Sequence, residues 1–121
     1  MIFRKILEDI VQEAGGGLAG LVIGRDGIAL EIYERDGSDG GVDIQALGVE
    51  LVTLAGETSR VSRVLGAEGF EELSLILPGH IALMRQINPE YFLVILIRRD
   101  GNFGKARYLM RRETPRLQKE L

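Results

Sequence analysis

The 121-residue chain has no cysteine, so disulfides and thiolate metal sites are excluded. Histidine occurs once, as His80 in a Pro-Gly-His turn, and no triad can be assembled around it. A single histidine without cysteine is a poor basis for a metal site. Ser59 and Ser62 have no other imidazole to act as base, which argues against a nucleophile. Glu71 and Glu72 are adjacent at a strand start, point to opposite faces and so do not form a carboxylate dyad. The glycine-rich stretch 34–42, ERDGSDGGV, lacks both the Lys-Ser/Thr ending of a Walker A loop and the G-x-G-x-x-G pattern of a dinucleotide fold. Asp36 and Asp39 would repel phosphate, so the stretch reads as a flexible connector. The chain is therefore expected to have no catalytic residues of its own, no metal and no cofactor.

Long apolar runs are also missing. None approaches the roughly 18–20 residues of a membrane span. The N-terminal MIFRKILEDIVQEAGGG carries charges throughout and does not read as a signal peptide. These features predict a cytoplasmic protein of one domain, large enough to bury a core without staples. Eighteen acidic against fifteen basic residues weigh against nucleic-acid binding. The charge is uneven: from Arg98 onward there are eight basic and three acidic residues, against seven and fifteen before it. Such a basic tail either meets something acidic or folds back on its own body.

What the chain does have is one long stretch of helical periodicity, Asp43 to Leu65. Ile44, Leu47, Leu51, Leu54, Thr58, Val61 and Leu65 recur at steps of three and four and form one side. Gly48, Val52, Ala55, Ser59 and Ser62 form a second stripe of small residues beside it. Large residues suit packing onto a sheet and small ones admit another backbone, so the small stripe either lies under a loop or is assigned to a second copy of the chain. On that assignment, Gly48→Leu or Ala55→Arg breaks the dimer and spares the fold. Val49, Glu50, Thr53, Glu57, Arg60 and Arg63 form the wet face. Asp43 is the expected N-cap.

Around this helix the pattern predicts αββαβββα. Ile2, Phe3, Ile6, Leu7, Ile10 and Val11 mark a first helix, stopped by the glycines at 15–17. Arg25-Asp26-Gly27 joins strands Leu18–Ile23 and Ile28–Tyr33 in a hairpin. Later strands are Glu71–Leu77, Ile81–Ile87 and Tyr91–Ile97. YFLVILI is apolar at every position, which requires cover on both faces. LSLIL is awkward at an open edge, and pairing with a second chain would relieve it. A last helix carries Phe103, Ala106, Leu109 and Met110 inward and Lys105, Arg107, Arg111 and Arg112 outward. Pro115 should kink or end it, leaving 113–121 as a frayed continuation of the one domain, 1–121.

The GRDGIAL hairpin, the long second helix, the closing DGNFGKARYLMRR and the element order together resemble the roadblock/dynein light chain family, above all its bacterial branch typified by MglB. The likeness spans essentially the whole chain. It implies an α/β (α+β) fold: a five-stranded antiparallel sheet with the long helix on one face and both terminal helices on the other. It also implies a homodimer through the paired third strands and adjacent long helices, with Gly48, Val52, Ala55, Ser59, Ser62, Leu73, Leu75 and Leu77 as interface.

The family implies action on a small Ras-like GTPase, either as a scaffold or as a GTPase-activating protein that inserts no arginine finger. Carried onto this chain, the GTPase platform is Val49, Glu50, Thr53, Glu57, Arg60 and Arg63. A second, basic contact is Lys105, Arg107, Arg111 and Arg112. The alternative is a non-catalytic scaffold subunit that pairs with other roadblock-like chains.

Overall fold

The computed structural model describes residues 2–36 and 41–121. The elements run α1 (Ile2–Glu13), β1 (Gly17–Gly24), β2 (Ala29–Glu34), α2 (Ile44–Val64), β3 (Glu72–Ile76), β4 (His80–Asn88), β5 (Tyr91–Arg98) and α3 (Phe103–Glu120), the expected αββαβββα. The strands form one antiparallel sheet in the order β2-β1-β5-β4-β3, so β2 and β3 are its two edges. Of the connector read at 34–42, positions 37–40 lie outside the described residues.

The sheet separates two apolar layers, and β5 shows why its sequence is apolar throughout. Leu93, Ile95 and Ile97 join Ile6, Leu7, Ile10, Ala106, Leu109 and Met110 on the side of α1 and α3. Phe92, Val94 and Leu96 join Leu51 and Ala55 on the side of α2. Side chains that alternate across a pleat must all be apolar when both faces are covered.

Local chemistry sets the joints. The β1–β2 turn closes with Gly27 N–H donating to Gly24 C=O at 2.9 Å, while Asp26 Oδ1 accepts from Ile28 N–H at 3.0 Å. Gly27 has φ +85°, which favours glycine. The pairing shifts register between Val22 and Ile23, which leaves Leu30 as the extra residue of β2, and the strand starts at Ala29 rather than Ile28. A Cβ on Gly17 would lie 2.1 Å from Val11 C=O, so only glycine lets the chain leave α1 so tightly. Asp43 caps α2 as expected, its Oδ1 accepting from Ala46 N–H at 3.0 Å.

The C-terminus differs from the sequence expectation. Pro115 neither ends α3 nor releases 113–121, which continue as helix to Glu120. Proline costs one backbone hydrogen bond inside a helix, and packing on both sides of it outweighs that loss here. Thr114 Oγ1 donates to Met110 C=O at 2.7 Å, Leu117 is fully buried, and Gln118 Nε2 donates to Ile87 C=O at 2.9 Å. His80, read as a turn residue, is the first residue of β4. Glu71 and Glu72 both approach Arg85, each at 3.8 Å, because Glu71 precedes the strand and is not bound by its alternation.

Candidate functional site

The two stripes of α2 change places. The residues it buries are Ile44, Gly48, Leu51 and Ala55. A Cβ added to Gly48 would meet Ile23 Cδ1 at 2.8 Å and Leu21 Cδ1 at 2.9 Å, so this glycine brings the helix down onto its own β1. Ala55 is buried in the same layer. Neither is available to a second chain, and a large residue at 48 disturbs the protomer itself. Val52, Ser59 and Ser62 are half-buried. Ser62 is used internally: its hydroxyl donates to Ser59 C=O at 2.7 Å and accepts from Gly69 N–H at 3.0 Å, tying down the exit from α2.

The large stripe lies along a flank of the helix instead. Leu47 and Thr58 are half-buried, while Leu54, Val61 and Leu65 are exposed, Leu65 by 82%. The other flank is fixed by Val49, which lines a groove with Ile28, Leu30 and Ile32 of the β2 side. The large flank therefore faces the β4–β3 half of the sheet. There β3 presents Leu73 and Leu75, half-buried against the α2-side layer, and Leu77 is exposed beyond its end, while Ile76, opposite Ile81, is exposed on the α1/α3 side. A single helix lies over that face, and it leaves the β3 half incompletely covered. Sequence reasoning missed Leu54, Val61 and Leu65 as surface residues. The signal was Gly48 at the centre of the small stripe, because glycine permits close helix–sheet contact as readily as close helix–helix contact.

Val49, Glu50, Thr53, Glu57, Arg60 and Arg63 are all exposed on the outer side of α2, so the wet face is assembled as read. Glu57 and Arg60 form an ion pair one turn apart on it. At that exposure the pair adds little stability, but it sets the local charge pattern.

The basic helix is partly spent on its own body. Arg107 Nε lies 2.9 Å from Glu72 Oε2, an ion pair without hydrogen-bond alignment, and its guanidinium stands over Phe103 at 5.4 Å. Arg112 binds Glu113 at 2.9 Å and approaches Glu13 at 3.7 Å. Its guanidinium is held above its ordinary pKa, chiefly by the Glu113 hydrogen bond. Lys105 and Arg111 remain on the surface. The buried Glu113 carboxylate is also met by Arg116 at 2.7 Å, as a buried charge requires.

Among the described residues no group of three His, Asp or Glu side chains is placed to hold a metal, and no helix is long and apolar enough to cross a membrane.

An α/β sandwich of this topology, with one helix across half a sheet, is the architecture of the roadblock domain. The solved structures it resembles agree. MglC from Myxococcus xanthus is 35% identical, with both chains covered in full and a TM-score of 0.72. An MglB described with a tetrameric arrangement is 20% identical over 95% of this chain and 84% of its own, at a TM-score of 0.87. A Roadblock/LC7 domain from Streptomyces avermitilis is 12% identical over 97% and 95%, at 0.72, and speaks to the fold alone. No family sequence model matches the chain, and no curated protein matches it by sequence. The chain belongs to the roadblock family, in the group of MglB and MglC. That fold fits a regulator of small-GTPase systems in general.

Proposed function

We propose that the chain acts as a homodimer that docks onto a small Ras-like GTPase in the cytoplasm, using the paired outer faces of two α2 helices. The observation that carries this reading is the incomplete cover of the sheet. The exposed α2 flank of Leu54, Val61 and Leu65 and, on the same side of the sheet, Leu73 and Leu75 of the unpaired edge strand β3 make up an apolar region, with Leu77 exposed beyond the strand's end. A second copy, related by a two-fold axis, buries that region and pairs β3 with β3. It also brings two copies of Val49, Glu50, Thr53, Glu57, Arg60 and Arg63 onto one surface. Of the four residues assigned to a second, basic contact, Lys105 and Arg111 are left for it, since Arg107 and Arg112 are engaged within the protomer.

Any stimulation of hydrolysis would act through the GTPase's own catalytic groups. Arg60 is held by Glu57, and an activator can work by positioning as well as by donating charge. The test is capture of a GTP-loaded Ras-like partner against its GDP form. The double change Glu57→Arg/Arg60→Glu should abolish capture while the dimer persists. Unchanged capture would remove the platform assignment.

A second reading rests on the unpaired β3 edge: a non-catalytic scaffold subunit that pairs with other roadblock-like chains through β3. Mixing with a paralogue distinguishes them. A homodimer that does not exchange subunits contradicts the scaffold reading.

A further inference from the structure

The outer face of α3 concentrates positive charge in a narrow strip. At about 3.6 residues per turn, Lys105, Tyr108, Arg111, Arg112, Arg116 and Lys119 fall on one side of the helix, and all are exposed. Glu113 is the one acid between 104 and 119, and it is buried beneath them. It holds two of the arginines: Arg112 Nε donates to Glu113 Oε2 at 2.9 Å and Arg116 Nη1 to Glu113 Oε1 at 2.7 Å. The Arg112 guanidinium also stands over the Tyr108 ring at 5.9 Å. Each guanidinium has further N–H donors, so most of both forks is left for a group outside the protomer. An apolar residue at 113 would avoid burying a charge; what the acid adds is two forks fixed in place before a partner arrives. Lys105, Arg111 and Lys119 form no ion pair among the described residues.

The strip is one helix wide. Glu13 of α1 stands on one flank, 3.7 Å from Arg112, and Glu72 of β3 on the other, 2.9 Å from Arg107. A flat anionic membrane would meet those acids together with the cations, and the strip offers it little to insert beyond Tyr108. The net charge of −3 weighs against a nucleic acid. A lone phosphate calls for cations that converge on one point, whereas these extend over about 21 Å at a rise of about 1.5 Å per residue. A segment bearing carboxylates and laid along α3 meets cations on successive turns and stays clear of both flanks. α3 lies across the sheet from α2, so such a segment leaves the platform open.

We infer that the outer face of α3 docks an acidic segment of a partner protein, with carboxylates along the strip from Lys105 to Lys119 and one apolar side chain seated on Tyr108. This rests on the second, basic contact of the proposed function, whose occupant it names, and needs neither the dimer nor the GTPase platform.

The probe is a fluorescein-labelled twelve-residue peptide of glutamate and alanine with one central leucine, titrated with the full-length chain and read by anisotropy at physiological salt. Saturable binding is expected. Arg111→Glu/Lys119→Glu, which reverses two exposed cations, should weaken it by at least about tenfold. Arg112→Lys/Arg116→Lys keeps the charge and removes the forks, and should weaken it by at least about fivefold. Glu57→Arg/Arg60→Glu should leave peptide binding unchanged while GTPase capture is lost, so failure of the platform and failure of the strip are read separately. No saturable binding overturns the inference. So does binding indifferent to the arginine-to-lysine exchange, which would be charge attraction alone, and so does binding lost with the Glu57→Arg/Arg60→Glu change, which would put the peptide on the platform. Phosphatidylserine vesicles or a DNA duplex held more tightly than the peptide, and released by Arg111→Glu/Lys119→Glu, would give the strip to a membrane or a nucleic acid and equally overturn it.

Discussion

The two faces of the sheet are finished differently. The α1/α3 face is covered by two helices up to the β3 edge, where Ile76 is exposed; Leu117 and Glu113 are buried, and the basic residues Arg107 and Arg112 are turned onto Glu72 and Glu13. The α2 face has one helix, held close by Gly48, with a flank of large apolar residues left in solvent. The first face explains a stable protomer. The second leaves large apolar side chains in solvent, the feature on which the proposed dimer rests.

The largest expected effect breaks the α1/α3 face. Leu117→Ala, beyond Pro115, should cost about 3 kcal/mol through lost burial and the cavity left behind. Chemical denaturation with a linear extrapolation measures it; a cost near zero would mean that 113–121 are a loose tail after all. Next is Gly48→Leu. Its side chain would have to enter space held by Leu21 and Ile23, at a cost of about 2 kcal/mol or more to the protomer. An unchanged denaturation midpoint would return the small stripe to the surface.

A smaller effect on the protomer, though a large one on assembly, is expected on the open face. Val61→Asp and Leu65→Asp change exposed side chains, so monomer stability should move by no more than about 0.5 kcal/mol. Association should weaken by at least about a hundredfold, because the two charges would be buried unpaired. Smallest is Asp43→Ala, which removes the cap of α2 and should cost about 1 kcal/mol without altering the dimer. Thermal unfolding of the monomeric variant with and without this change isolates the term.

Much of this was legible in the sequence. Element order, the Asp-Gly hairpin, the Asp43 cap and the two-sided burial of β5 follow from periodicity and local hydrogen-bonding chemistry, which act over a few residues. The face of α2 that meets the sheet did not, because periodicity defines stripes and leaves open which one is inside. That choice was decided by the space above Leu21 and Ile23, a contact between residues more than twenty positions apart. The helix beyond Pro115 was missed for a related reason. The local rule weighs one lost hydrogen bond, whereas the burial of Leu117 and the bond from Gln118 to Ile87 are tertiary. The outer residues Val49 to Arg63 were legible because an exposed face needs no partner to define it.

The central claim is that the large flank of α2, with the β3 edge, is the face a second copy covers. The direct measurement is molar mass by light scattering across a dilution series, for the native chain and for Val61→Asp/Leu65→Asp. The native chain should hold about 27 kDa, twice its 13.4 kDa, and the variant should run as a folded monomer with an unchanged denaturation midpoint. A native monomer, or a variant that remains a dimer, would contradict the account.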